Sequence, residues 1–409
     1  MNKSLYCALS FGSMSLNSRN ILIPCCNVRL DKFNPTQDYG DPLSTRLNSN
    51  ALKYIRKELK EGRWPSACYN CEMSEKAGVR SMREIYNDEL GTTMPEDITI
   101  QPENIKYLDL TFDTKCNSKC MTCNASLSTF WEDEYYHIYP NLERTERFII
   151  DRNKVDDIIK TFPNVKRIAF IGGEPTISDH HIYYLQKLIE FNRAKDIKIS
   201  YVTNLTGIDD NLYNIWKSFK DVQIAMSIDG HGKVNDYIRY PFKWDKIENQ
   251  MRKIIELSTK EDIEGQCRIR CGLSTTVSVL NYQHLPDFLF KFYTICQDYP
   301  NAHGHTSGIG AFLNRVSFPD YMQVNLLPKE IRLQTAIKAK EYLDLIIDKD
   351  NNQGLADSFR TIISMADEEQ IINPVLKKKL HNFIMKSDSY RKRHIQDYIP
   401  EVWTWLNER

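Results

Sequence analysis

Three cysteines, Cys116, Cys120 and Cys123, stand in C-x3-C-x2-C spacing just after the apolar run that ends at Phe112. Three thiolates ligate three irons of a cubane and leave the fourth open, whereas an electron-transfer cluster usually takes four protein ligands. An open iron can bind a small chelator. Zinc is the alternative for any cysteine group, but this one has three cysteines and meets no histidine until His137. A second group, Cys7, Cys25, Cys68 and Cys71, supplies four thiols, enough for a closed cluster or a structural zinc site, with Cys26 able to replace Cys25. Clustering at short spacing favours metal over disulfides. Cys267, Cys271 and Cys296 show no ligand spacing and read as core thiols.

The elements that must hold the first group follow from periodicity. Apolar runs at Tyr107–Phe112, Arg167–Ile171, Ile197–Val202, Val222–Ile228, Arg268–Val279 and Gly308–Val316 alternate with amphipathic stretches. That order predicts parallel strands joined by crossover helices. Six β/α units fit an incomplete (β/α)6 barrel, with an open doubly wound sheet as the rival geometry, and barrel sites form at the carboxyl ends of strands, where the triad falls. Between the fourth and fifth strands Ile247, Met251, Ile254, Ile255 and Ser258 share one helical face. Residues 1–103 read as an irregular cysteine-bearing segment, 104–328 as the partial barrel and 329–409 as a helical C-terminal region, in stretches Lys329–Lys349 and Pro374–Leu406.

The triad resembles that of the radical S-adenosylmethionine (SAM) superfamily, and later segments occur in the family's order. The second strand ends in Gly172-Gly173-Glu174-Pro175, the third in Thr203-Asn204, and the fourth in Ser227-Ile228-Asp229-Gly230, with Arg239 following. The resemblance implies a [4Fe–4S] cluster held by Cys116, Cys120, Cys123 and SAM. It also implies reductive cleavage of SAM to a 5′-deoxyadenosyl radical and an electron donor such as flavodoxin or ferredoxin. Glu174 would accept from the SAM ammonium beside the glycines, while Asn204, Ser227 and Arg239 would reach its ribose or carboxylate. Thr122 stands where the family often has an aromatic residue.

Residues 64–83 resemble twitch and SPASM segments, which hold auxiliary [4Fe–4S] clusters, with Asn20 where glycine is usual ahead of Cys25. Those segments occur largely in enzymes that modify peptides, so a peptide or protein side chain is the expected substrate, with a small molecule or nucleotide as the alternative. Lys377-Lys-Lys379, Arg391-Lys-Arg393, Trp403 and Trp405 offer a patch for a chain-like partner. Lysine plus arginine equals aspartate plus glutamate at 54 each, which argues against nucleic acid as a partner. No run is long and apolar enough for a membrane, so the expected location is the cytoplasm. The rival class is a zinc-stabilised binding protein, against which the glycine-rich and Ser-Ile-Asp-Gly segments stand.

Overall fold

The computed structural model describes residues 5–17, 19–33, 41–76, 80–91, 95–144, 150–259, 268–302, 310–347 and 353–408. Cys267 and Gly308 lie outside them. The chain divides into two compact units, Met1–Thr114 with Arg147–Ser200 and Asn211–Lys220, and Lys115–Glu146 with Tyr201–Asp210 and Asp221–Arg409.

In the first unit, β1 (Ser13–Leu16) pairs antiparallel with β2 (Leu22–Ile23) and parallel with β3 (Tyr107–Leu110), which pairs parallel with β4 (Arg167–Phe170). Leu110 lies opposite both Leu16 and Phe170. Every residue of β3 is buried, as expected of a parallel strand covered on both faces. The helix Asp179–Glu190 buries His181, Tyr184, Leu185 and Leu188, the i, i+3, i+4, i+7 stripe of an element packed on one side.

The expectation of an irregular first hundred residues is corrected. Besides β1 and β2 they carry the helix Asn50–Lys60, which buries Leu52, Ile55, Arg56 and Leu59. Arg56 replaces lost water by donating to the carbonyls of Ser10 at 2.9 Å and Leu47 at 2.8 Å. The four-residue β1 is too short for its alternation to be read from sequence.

β5 (Lys198–Thr203) is divided between the units after Ser200. In the second unit β6 (Asp221–Ser227), β7 (Arg268–Val277) and β8 (Ala311–Arg315) are parallel neighbours, with Ser227 opposite Ser274. The helix Trp244–Ser258 buries the face read from sequence. All six expected strands are present, and the fold is a parallel α/β structure followed by a helical C-terminal region. That region consists of Lys329–Ile346, Gln353–Ala366, Pro374–Arg391 and Pro400–Asn407, the second of which the sequence reading missed. Among the described residues, no helix is long and apolar enough to cross a membrane.

Candidate functional site

The cysteine loop has no regular structure of its own, so its backbone groups must find partners elsewhere. Lys119 N–H donates to Tyr240 O at 2.7 Å and Met121 N–H to Ile238 O at 2.8 Å, pinning the loop to the end of helix Gly232–Ile238 and the residues just after it. Trp131, fully buried, donates its indole N–H to Cys120 O at 2.8 Å, and Ser128 Oγ donates to Ser118 O at 2.9 Å. Ser118 Oγ lies 3.0 Å from Cys120 Sγ, placed to donate to a thiolate there.

A second tie runs through Asn204. Its Nδ2 donates to Asn117 Oδ1 at 3.0 Å, its Oδ1 accepts from Thr206 Oγ1 at 2.6 Å, and Asn117 Nδ2 donates to Thr206 Oγ1 at 2.8 Å. Asn204 therefore steadies the residue next to Cys116.

Arg239 supplies the charge. Its Nε donates to the buried Asp229 carboxylate at 2.8 Å, and Asp229 is itself held by the Thr276 N–H at 2.8 Å. Burial opposes the guanidinium charge, but Asp229, Cys120 and Cys116 outweigh it and raise the Arg239 pKa. Burial pushes the Cys123 thiol up to about 12, with Cys120 adding to the rise and Arg239 working against it. Three thiols near a largely buried cation suit a group that needs deprotonated sulfur and brings positive charge of its own.

In the first unit Gly172 has φ of +125°, a conformation that side chains disfavour. A Cβ there would lie 2.8 Å from Thr111 Cγ2 and 2.9 Å from Asp113 O, so only glycine lets the end of β4 approach the end of β3. Glu174 is buried, and its Oε1 accepts from Thr176 N–H at 3.1 Å and Thr176 Oγ1 at 2.6 Å, capping the turn Pro175–Ile177. Gly173 lies in the bend between them, and Ser227 ends β6 half-buried.

The second cysteine group also lies in the first unit. Cys7 precedes helix Ala8–Gly12, Cys25 and Cys26 follow β2, Cys68 ends the turn Ser66–Cys68, and Cys71 sits in helix Tyr69–Lys76. Asn20, at φ of +57°, takes the left-handed conformation that asparagine tolerates and accepts from Arg46 Nη1 at 3.2 Å. Asn27 Nδ2 lies 3.4 Å from Cys71 Sγ. Burial raises the pKa of Cys25, with Cys7, Cys26 and Cys68 adding to the rise, and that of Cys26, where Asp109 contributes most after burial. Cys7 and Cys68 thus act on Cys25, and Asp109 and Cys71 on Cys26. Burial likewise pushes Cys68 up to about 12. All ten described cysteines are free thiols. Among the described residues, no three His, Cys, Asp or Glu side chains converge tightly enough for one metal ion. Thiolates on separate irons of a cubane stand further apart than those around one tetrahedral zinc, whose bonds to sulfur are about 2.3 Å.

Residues 111–285 match the model of the Radical SAM superfamily. The chain carries a radical SAM domain. That domain contains the triad, Gly172 to Pro175, Asn204, Ser227 and Arg239. No curated protein matches the chain. Among solved structures it is similar to Streptococcus suis SuiB bound to precursor peptide SuiA, at 13% identity and a TM-score of 0.39, over 74% of this chain and 61% of that one. A structure of Streptococcus suis SuiB alone gives 14%, 0.35, 75% and 60% in the same terms. SuiB bound to S-adenosylmethionine gives 13%, 0.33, 58% and 44%. The chain thus spans less than two thirds of the length of these structures.

The triad of the radical SAM domain is braced by residues that sequence reading assigned elsewhere or overlooked. Arg391, expected in a partner-binding patch, is instead buried. Its Nη2 donates to Lys119 O at 2.8 Å, its Nε to Glu134, and its guanidinium lies 4.9 Å from the Trp131 ring centre. Arg393 lies 4.0 Å from the Tyr237 ring centre, and Trp405 is buried. Of that patch Lys378, Lys379 and Lys392 are exposed. Glu134, with no apolar period to mark it and no motif around it, carried no signal. Cys271 is fully buried, as expected of a core thiol.

Proposed function

We propose that the radical SAM domain cleaves SAM reductively at a [4Fe–4S] cluster ligated by Cys116, Cys120 and Cys123, and turns the radical on a peptide or protein side chain. The observation that carries this reading is the three-thiol loop, fastened to Ile238, Tyr240 and Trp131, with the Arg239–Asp229 ion pair acting on its thiols. When bound, the reduced cluster supplies the electron that breaks the S–C5′ bond of SAM. The chain's own residues do the rest. Ser118 Oγ donates toward Cys120, and Asn204 and Thr206 fix Asn117 beside Cys116. Ser227 offers a hydroxyl to the ribose or carboxylate of SAM. Glu174 exchanges part of its capping role for the SAM ammonium, a charge-assisted bond worth about 1.5–3 kcal/mol.

Cys7, Cys25, Cys68 and Cys71 form an auxiliary [4Fe–4S] site of twitch or SPASM type, with Cys25, the less exposed of the neighbouring pair Cys25 and Cys26, as ligand. A flavodoxin or ferredoxin supplies electrons in the cytoplasm. The test is electron paramagnetic resonance of the anaerobically reconstituted, reduced protein. Added SAM changes the signal if it ligates the open iron. An identical spectrum with and without SAM overturns the reading.

A further inference from the structure

The second unit holds a cavity of 430 Å³ with Cys123 in its wall. That volume lies in the range of small-ligand sites. The other walls come from helix Glu132–Ile138 and the Tyr139 that follows it, the segment Phe318 to Tyr321, and one side of helix Pro374–Arg391. Tyr139 and Tyr321 meet hydroxyl to hydroxyl at 2.9 Å, so one of their two hydroxyl protons is committed within the pair, whose rings add aromatic surface. Phe383 packs against Tyr321 with ring centres 5.6 Å apart. The interior is therefore aromatic.

Its rim is cationic. Lys379 and Lys386 are exposed and lie about two turns apart on helix Pro374–Arg391 with Asn382 between them, while Asp320 is the sole acid in the lining. Lys386 Nζ donates to Ile138 O at 2.9 Å, which leaves two of its three ammonium hydrogens for a ligand. An aromatic interior favours a flat apolar body, and two ammonium groups against one carboxylate favour an anion.

The geometry points to this cavity as the substrate's docking site, taking an aromatic or apolar group that carries a carboxylate or comparable anion. The inference deepens the proposed function and rests on it for the word substrate; the binding chemistry stands on the cavity alone. A free aromatic acid and an acidic, aromatic-bearing peptide segment share this chemistry.

The test is photolabelling of the reconstituted protein with 4-azidobenzoate, followed by mass spectrometric mapping. Adducts are expected within residues 121–139, 318–321 and 379–386. Labelling falls about two- to fivefold in Lys379→Gln, the effect of removing one exposed charge, and falls similarly when the neutral 4-azidobenzamide replaces the acid. Competition by phenylacetate or by the peptide acetyl-Glu-Phe-Glu-amide assigns the source, free acid or peptide. Adducts elsewhere, equal labelling by the neutral amide, or no competition by either compound overturns the assignment. SAM cleavage is measured in the same preparation. Its absence with the labelling intact would count against the proposed reaction and leave the cavity assigned, whereas cleavage with labelling elsewhere would do the reverse.

Discussion

Arg391 and Glu134 form an ion pair in which neither side chain is exposed, with Arg391 Nε 2.8 Å from Oε1 and 2.9 Å from Oε2 of the carboxylate. Ser387 Oγ donates to the same carboxylate at 2.7 Å, and Lys119 Nζ lies 3.7 Å away. The final helices are thereby tied to the cysteine loop through one buried charge, an arrangement in which removing either partner strands the other.

Arg391→Met is expected to cost about 3–5 kcal/mol, because Glu134 is left buried without its main counter-charge. Arg391→Met with Glu134→Gln should recover part of that loss. Denaturant midpoints of the reconstituted parent, Arg391→Met, Glu134→Gln and the double variant give the coupling. Equal destabilisation by the single and double changes would show that the pair itself is not what holds the helix.

Gly172→Ala forces a side chain onto a backbone at φ of +125° and a methyl group to within 2.9 Å of Asp113 O. The expected loss is about 1–3 kcal/mol from strain and overpacking. Thermal unfolding of parent and variant checks it, and an unchanged midpoint would mean that the strand ends need not approach so closely.

Burial holds the His181 pKa at about 3, against about 6.5 in an unfolded chain. Native His181 stays neutral while the unfolded form takes up a proton as the pH falls below about 6.5, so its contribution is present above that pH and is lost progressively toward about 3. His181→Phe keeps a ring against Phe170, whose centre lies 4.7 Å away, and removes the titration. Between pH 6.5 and 5 the variant should lose less stability than the parent, and parallel pH profiles would contradict this.

Two cubanes bring about eight irons per chain. Metal analysis after reconstitution should find that number, with no zinc. Four irons and one zinc would instead assign Cys7, Cys25, Cys68 and Cys71 to a structural zinc site.

The six strands and the buried face of helix Trp244–Ser258 were legible because apolar runs and period-3.6 patterns are local. The triad was legible because its spacing lies within eight residues of one loop. Glu134 and Arg391, 257 positions apart, were not, since a buried ion pair leaves two charged residues that each look like surface. Asn204 shows the same limit in a milder form. Its place at the end of β5 marked it for a polar role, but nothing local showed that Asn117 and Thr206 would occupy both ends of its amide.

The central claim is tested most directly by measuring 5′-deoxyadenosine released from SAM by the anaerobically reconstituted protein under a strong reductant. The parent should release it, and the variant with Cys116, Cys120 and Cys123 all replaced by alanine should release none while keeping part of its visible absorbance from the N-terminal site. Equal release by both proteins, or none from a parent shown to hold its iron, would contradict the assignment of the triad as the SAM-cleaving centre.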